Sequence, residues 1–300
     1  MLRKMHRLLW QIRLGRCGPL ARALAKLLRR LLPVRGIGPL TNIVLGAPRA
    51  AASPASAEIE GVTFELDLAQ ALHRAVYLNL FSLELRRVVL PLLSPGDLFV
   101  DVGANFGFWA LLAARRGCRV IAVEPIPATR ALLAANAERN GLAERLEIIA
   151  AAVSDRPGSL TVAVPAGESG QASAHPDAGV ELERFTVETM TLDELLGEQP
   201  VRFLKIDVEG HEPAVLRGAA RALRSGRVEY VLVELASTIM SRSGASGASL
   251  IDVLEGCGYT FVRFVRANEG LFPRRSYGRL TPEQLRAGVY AGDALWARRR

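Results

Sequence analysis

The residues best suited to chemistry lie in a stretch at residues 98–107 that ends in a glycine turn at residues 103–107. An apolar run there carries Asp101 and passes directly into Gly103, Asn105 and Gly107. Glycine lets the backbone turn sharply and approach a ligand closely, and the free amide groups at the start of the following helix can face that ligand. The pattern therefore predicts a nucleotide-like cofactor at the carboxyl end of a core strand.

The spacing within this turn distinguishes between classes of cofactor. A nicotinamide or flavin dinucleotide needs Gly-x-Gly-x-x-Gly, whose second glycine admits the pyrophosphate and whose third packs the helix on the strand. Here the three positions hold Gly103, Asn105 and Phe108, and the two larger side chains would crowd a pyrophosphate. The sequence also lacks the Gly-x-x-x-x-Gly-Lys-Ser/Thr loop of nucleoside triphosphatases. A ligand with a ribose but no phosphate fits better, and S-adenosylmethionine is such a ligand.

A carboxylate follows the next predicted strand at a suitable distance from the turn. The segment Arg119–Val123 is typical of a strand and ends at Glu124, 21 residues after Gly103. A carboxylate in this position can accept two hydrogen bonds from the vicinal hydroxyls of a ribose. The alternative is that Glu124 only caps the helix predicted to begin near Pro127. Because the glycine turn lies upstream, we expect the ribose contact.

A second group of ionisable residues follows the strand predicted at residues 201–208. Alternation along the strand places Lys205 and Asp207 on one face, and Glu209 and His211 follow in the exit loop. Ionisable groups at the end of a core strand are costly unless they are paired or used in function. These four residues are therefore the catalytic candidates.

Transfer of a methyl group to a hydroxyl would give these residues distinct roles. An alcohol needs a base to take its proton, and His211 has the most suitable unperturbed pKa. Asp207 or Glu209 could orient His211, accept the proton or hold sugar hydroxyls. The alternatives are that Lys205 only neutralises Asp207 and that His211 makes structural hydrogen bonds in a loop. The carboxylates could also hold a divalent ion, but the sequence does not identify a complete set of metal ligands.

Four blocks of sequence occur in an order that matches one known family. They are Val100–Gly107, Glu124–Pro125, Ala152–Asp155 and Lys205–Glu212. Together they resemble the FkbM-type family of S-adenosylmethionine-dependent methyltransferases. The resemblance implies a Rossmann-like α/β fold of class I, with a mostly parallel seven-stranded sheet, helices on both faces and an antiparallel last strand. It further implies that Val153 and Asp155 lie beside the adenine of the cofactor, and that the enzyme methylates a hydroxyl of a sugar, glycolipid or secondary metabolite.

Two other functions remain compatible with the sequence. The first is an N-methyltransferase acting on nucleic acid or protein, which a basic arm would suit. Against it, the Asn-Pro-Pro-aromatic motif that often grips an exocyclic amine is replaced by Ile206–Glu209. The second is a methyltransferase-like binding module without activity. We expect a small-molecule, glycan or glycolipid acceptor, and we do not expect nucleic acid as a partner.

Other segments predict the elements around the site. Residues Glu58–Leu68 alternate like a hairpin, Ala71–Leu93 is typical of one long helical stretch, and Leu146–Val153 is typical of a third core strand. A Gly/Ser/Ala-rich insertion at residues 166–179 contains His175. This loop either reaches over the substrate or is a spacer with a solvated histidine.

Charge divides the chain into two parts. The net charge is +8, and residues 1–57 contain eleven Lys and Arg without any Asp or Glu, which leaves 27 basic and 30 acidic residues, or −3, in residues 58–300. We expect residues 1–57 to form a basic extension that ends in an Ala/Pro/Ser-rich linker at Gly46–Ala57. Residues 58–300 would then form the methyltransferase domain.

The basic arm contains the pattern of an amphipathic helix. Leucines recur at helical spacing between Leu20 and Leu31, with lysine and arginine at the other positions. Such a helix packs on its parent domain, or lies on an anionic membrane through residues 1–35, or serves as a mitochondrial transit peptide, which the shortage of serine disfavours. The sequence has no apolar run of about 18 residues and no disulfide or zinc pattern in its three cysteines. We expect a cytoplasmic protein, peripheral to the inner face of the membrane if the arm binds lipid.

Overall fold

The computed structural model describes residues 55–77, 79, 81–165, 172–176, 181–236, 246–266, 281–287 and 291–299. Predictions for the basic arm, most of the linker and most of the insertion lie outside these described residues. The chain divides into two compact units. Among the described residues, one unit holds residues 55–59 and 63–83, and the other holds residues 60–62 and everything from Glu84 onward. All of the candidate site residues belong to the second unit.

The described chain begins with a β-hairpin. Strand β1 (Ala55–Ile59) pairs with strand β2 (Val62–Leu66). The two turn residues, Glu60 and Gly61, have φ angles of 52° and 79°, as a tight hairpin turn with two left-handed residues requires. The hairpin confirms the prediction from alternation. Because β1 begins at Ala55, the last residues of the predicted linker are part of a strand.

The prediction of one long helical stretch over Ala71–Leu93 was wrong. The segment forms helix α1 (Ala71–Tyr77) and helix α2 (Leu83–Val89), which continues into a short 3-10 turn at Leu90–Leu92. Asn79 lies between the helices with a φ of 57°, and its amide donates to the carbonyl of Val76 at 2.7 Å. Asparagine tolerates the left-handed conformation that ends a helix, and this accounts for the break.

In the described part of the chain, ten further strands follow the hairpin. They are β3 (Leu98–Val102), β4 (Arg119–Val123), β5 (Leu146–Ile149), β6 (Ala152–Val153), β7 (Gly158–Pro165), β8 (Leu182–Met190), β9 (Val201–Ile206), β10 (Val228–Ala236), β11 (Tyr259–Arg266) and β12 (Ala291–Arg298). Seven of them form one sheet in the order β11-β12-β10-β9-β3-β4-β5. Neighbours from β10 to β5 are parallel, whereas β12 runs antiparallel to both β10 and β11. This confirms the predicted mostly parallel sheet with an antiparallel last strand.

The strand order creates a switch point at β3. The chain continues from β3 to β4 on one side, and β9 pairs with β3 on the other. In open α/β sheets, ligands bind beyond the carboxyl ends of the strands at such a point. The sheet therefore positions the ends of β3, β4, β9 and β10 along one edge.

The predicted third core strand is shorter than expected. It ends at Ile149, whose carbonyl accepts a hydrogen bond from the amide of Glu124 at 3.0 Å. The chain then leaves the central sheet, and β6 joins a separate three-stranded sheet of order β6-β8-β7. The prediction that Leu146–Val153 is one strand was therefore wrong, because its final residues pair with Thr189 and Met190 of β8 instead.

Helices connect the strands and cover the sheet. They are α3 (Phe108–Arg115), α4 (Pro127–Arg139), α5 (Leu192–Leu196), α6 (Glu212–Gly218), α7 (Ala220–Arg224), α8 (Gly247–Gly256) and α9 (Pro282–Ala287). Val100 and Val102 of β3 share a buried core with Val215 of α6 and Leu250 of α8, while α3 packs on β3 and β4. Thr191 and Glu194 form the capping box expected at the start of α5. Among the helices of the described residues, none is long and apolar enough to cross a bilayer.

Candidate active site

The turn after β3 is sharp, as predicted, and three of its residues have left-handed backbone angles. The φ angles of Gly103, Asn105 and Gly107 are 80°, 52° and 91°. Gly107 is the N-cap residue of α3. The side-chain oxygen of Asn105 accepts a hydrogen bond from the amide of Phe106 at 2.7 Å. The turn therefore holds the start of α3 at the carboxyl end of β3.

The two glycines are also required by close packing within the protein. A Cβ atom on Gly103 would lie 1.9 Å from the carbonyl oxygen of Asp207, and one on Gly107 would lie 2.2 Å from a methyl group of Leu133. The amide of Asp207 also donates to the carbonyl of Val102 at 3.1 Å. The glycine turn thus lies directly against the end of β9, so that the two predicted groups of site residues are neighbours.

Glu124 lies beside the turn, as the spacing predicted. One carboxylate oxygen accepts a hydrogen bond from the amide of Asn105 at 2.9 Å, and the other accepts one from the amide of Ile126 at 2.8 Å. Ile126 immediately precedes α4, so the capping role considered above is present together with the contact to the turn. Only 5% of Glu124 is exposed, and burial raises its pKa to about 7. An ionised carboxylate has about four acceptor positions, which leaves Glu124 capacity for a diol.

Asp101, Lys205 and Asp207 form a chain of charges across two neighbouring strands, in which Asp101 and Lys205 are buried and Asp207 is partly exposed. The ammonium nitrogen of Lys205 lies 3.3 Å from Asp101 and 3.0 Å from Asp207. Asp101 is 1% exposed, and burial raises its pKa while Lys205 opposes that rise. Lys205 therefore neutralises both carboxylates, as the structural alternative proposed. Asp101 was predicted to bind the cofactor, but in the structure its carboxylate faces Lys205 and is almost completely covered.

Carboxylates from three strands meet at the edge next to Asp207. Val233 of β10 pairs with Ile206 of β9, so that Glu234 and Asp207 follow side by side. Carboxylate oxygens of Asp207, Glu209 and Glu234 all lie within 4.8 Å of one another. We call these three residues the acidic edge. Asp293 of β12 pairs with Glu234, and burial raises its pKa to about 7.

His211 contacts residues other than those expected. Its Nε2 atom lies 3.0 Å from the hydroxyl of Ser154, and its ring lies 5.8 Å from the ring of His175. This corrects the expectation that Asp207 or Glu209 orients His211, because the hydroxyl of Ser154 holds the imidazole ring. The carboxylate that raises the pKa of His211 is that of Asp155. Burial and the neighbouring His175 outweigh Asp155, so the pKa of His211 is lowered overall.

Ser173 ties part of the insertion to the exit loop of β9. Its hydroxyl donates to the carbonyl of Glu209 at 2.6 Å and accepts from the amide of His175 at 2.9 Å. Its backbone also pairs with Ala163 of β7 through two bonds of 2.9 Å. The described part of the insertion therefore reaches the site, and burial lowers the pKa of His175, which does not fit a solvated histidine.

The two residues predicted to lie beside adenine have partners within the protein. Val153 is 2% exposed and belongs to the central core. The carboxylate of Asp155 pairs with Arg217 of α6 through two bonds of 3.2 and 3.1 Å. Ser154, between them, is the functional candidate that sequence reasoning did not assign. Ser154 lies inside the family block Ala152–Asp155, but a serine after a strand does not by itself indicate a functional role.

Comparisons with known proteins show the family of the chain. Residues 101–261 match the Methyltransferase FkbM domain. The chain is 30% identical over 203 residues to the 31-O-demethyl-FK506 methyltransferase FkbM of Streptomyces tacrolimicus, which covers 57% of this chain and 75% of that protein. It is 33% identical over 154 residues to the hexuronic acid methyltransferase AglP of Haloferax volcanii, which covers 50% of this chain and 60% of that protein.

Similarity to solved structures is weaker. The structure of M. jannaschii TYW2 in complex with AdoMet is 15% identical, and the match covers 84% of this chain and 90% of that chain with a TM-score of 0.42. That score is too low to inform function. The FkbM domain match, in contrast, spans more than half of the chain and contains both the glycine turn and the acidic edge. The chain belongs to the FkbM family of methyltransferases.

Proposed function

We propose that this enzyme transfers the methyl group of S-adenosylmethionine to a hydroxyl of a sugar, glycolipid or secondary metabolite. The main supporting observation is a hydrogen bond at the switch point of the sheet. The backbone amide of Asn105, a residue with a left-handed conformation, donates to the carboxylate of buried Glu124. The names of the two relatives support the acceptor class, because one refers to a 31-O-demethyl compound and the other to a hexuronic acid.

The residues around the turn fit S-adenosylmethionine. Glu124 would hold the ribose hydroxyls, and the loop from Gly103 to Gly107 would lie along the nucleoside. A cationic ligand suits this location, because the three carboxylates of the acidic edge adjoin the turn. Lys205 is paired with one of them, Asp207. When bound, the cofactor supplies a methyl group activated by a positively charged sulfur.

His211 would accept the proton that the hydroxyl loses. Its lowered pKa keeps the imidazole neutral at pH 7, so a lone pair is present to take a proton. If Nε2 carries hydrogen and donates to Ser154, Nδ1 is left as the proton acceptor. In this assignment Ser154 is a positioning residue that fixes the tautomer and the direction of the ring.

Product analysis tests the reaction directly. The purified protein would be incubated with methyl-labelled S-adenosylmethionine and with fractionated glycans, lipids and small molecules. We expect the label in a sugar or metabolite fraction, in a methyl ether that survives mild base. Its transfer should fall about a hundredfold or more in His211→Ala, as the loss of a general base does. Label recovered in RNA or protein, or no transfer to any fraction, would contradict the proposal.

A further inference from the structure

Within the described residues, no cation is paired with Glu234 of the acidic edge. The ammonium group of Lys205 is shared between Asp101 and Asp207. The groups that act most strongly on Glu234 are carboxylates, those of Asp207, Glu209, Glu212 and Asp293. Like charges at this separation destabilise one another unless a proton or a cation is bound between them. Glu234 must therefore hold a proton or have a positive partner other than Lys205.

Glu234 supplies a second and independent observation. Its Oε2 atom is buried and, within the part of the chain that the structure describes, has no hydrogen-bond partner. A buried carboxylate oxygen without a partner is costly, and native proteins seldom retain one unless it meets a ligand. Strand register directs this side chain toward the edge, because Glu234 follows the pair Val233–Ile206 and adjoins Asp207.

The oxygen spacing is short enough for one ion, and the type of donor indicates the class of cation. Two oxygens on opposite sides of one ion lie about 4.2 Å apart around Mg²⁺ and about 5 Å apart around Ca²⁺. The oxygens of the acidic edge all lie within 4.8 Å of one another. All three donors are carboxylates, which favour hard ions such as Mg²⁺, Mn²⁺ and Ca²⁺ over zinc or copper. Other coordination positions would be left for water or for oxygens of the acceptor.

We propose that Asp207, Glu209 and Glu234 bind one hard divalent cation, Mg²⁺, Mn²⁺ or Ca²⁺, at the acidic edge. Its role in catalysis rests on the proposed function. An ion next to the glycine turn would hold two neighbouring oxygens of the acceptor and would lower the pKa of the hydroxyl to be methylated. The proton would then leave to His211, and the metal would also account for the accumulation of carboxylates.

Direct titration with Mn²⁺ tests the proposal without any acceptor. Free Mn²⁺ would be followed by electron paramagnetic resonance as the full-length protein is titrated in the presence of S-adenosylhomocysteine. We expect roughly one site per chain and an affinity at least about tenfold weaker in Glu234→Gln. Glu209→Gln is a second variant on an exit loop, for which we expect the same loss. Glu147→Gln is the matched control, because Glu147 is exposed on β5 and should leave Mn²⁺ binding unchanged.

The outcomes separate this inference from the proposed function. Binding of S-adenosylhomocysteine by each variant, measured on the same preparation, shows that the protein is folded. If folded wild-type protein binds no Mn²⁺ at millimolar concentration, or if both edge variants bind it as wild type does, the metal site is refuted. Methyl transfer that persists in excess chelator would then leave the proposed function intact. Mn²⁺ binding without any methyl transfer would support the site and contradict the function.

Discussion

Among single residues, Glu124 is the one whose protonation should affect both cofactor binding and the stability of the fold. It is buried, accepts two backbone amides, and has a pKa raised by burial from 4.5 to about 7. An ionised carboxylate accepts two hydrogen bonds from a diol more strongly than a neutral carboxyl group does. The affinity for the cofactor and the stability of the fold should therefore depend on pH through the same side chain.

The stability of the protein should fall as Glu124 ionises. The folded state holds this proton more tightly than the unfolded chain, so the stabilisation is complete below pH 4.5 and is lost as the pH rises through about 7. The effect is at most about 3 kcal/mol. Thermal unfolding of wild type and Glu124→Gln between pH 5 and 8 measures it, and we expect a shallower decline in the variant. Parallel curves for the two proteins would contradict this assignment.

Ser154 should affect turnover more than binding. Ser154→Ala removes the hydroxyl that holds His211, and the loss of one such hydrogen bond of about 1 kcal/mol corresponds to a fall in kcat of about five- to tenfold. Steady-state kinetics should show KM within about twofold of wild type, since in the proposed mechanism Ser154 contacts the base His211 and not the acceptor. The control is Ser159→Ala, because Ser159 is exposed on β7. A change in KM alone would indicate a different role.

At the scale of elements, the glycine turn is fixed by its neighbours. Gly103→Ala would place a methyl group 1.9 Å from the carbonyl of Asp207 at a φ of 80°. We expect a loss of at least about 3 kcal/mol in the free energy of unfolding, from backbone strain and the steric clash together. Gly141→Ala is the control, because Gly141 also has a positive φ but no atom within 4 Å, and it should cost only about 1 kcal/mol. Urea denaturation that shows equal losses would contradict this account.

The elements were predicted best where the signal is local. The apolar run at Arg119–Val123 predicted β4 at the residues observed, and the glycine turn correctly predicted a strand before it and a helix after it. The end of β5 was not predictable, because nothing local separates Ile149 from the residues that pair with β8. The left-handed break at Asn79 was likewise hidden inside an apolar run.

The site was predicted only where its contacts follow from spacing along the chain. The contact between Glu124 and the turn follows from a fixed spacing in the fold. The contact between His211 and Ser154 could not be predicted in this way, because the two residues lie 57 positions apart along the chain. Asp293 reaches the acidic edge only through the antiparallel register of β12 with β10, and that register cannot be read from composition or periodicity.

At the scale of the whole molecule, the basic arm and the rest of the chain differ in charge. Residues 1–57 carry eleven basic and no acidic residues, whereas the remainder has a net charge of −3. We propose that the arm brings the enzyme to anionic membranes that carry a lipid-linked acceptor. The strand that begins at Ala55 also shows that a truncation at residue 58 would cut through the hairpin.

Substitutions within the full-length chain therefore test the arm better than truncation. Replacing Lys26, Arg29 and Arg30 by glutamate reverses charge on the polar face of the predicted helix. We expect full-length protein to sediment with anionic vesicles and the triple variant to remain in solution, with about 1 kcal/mol lost per basic residue. Neutral vesicles are the control. Equal sedimentation of both proteins with anionic vesicles would refute the proposal.

Calorimetric titration with S-adenosylhomocysteine measures binding at the glycine turn without any methyl acceptor. We expect roughly one site per chain in wild type and an affinity at least about tenfold weaker in Glu124→Gln at pH 8, where the variant lacks the charged hydrogen-bond acceptor. Binding of equal strength by the two proteins, or preferential binding of NAD by wild type, would contradict the assignment of Glu124 and the glycine turn to S-adenosylmethionine.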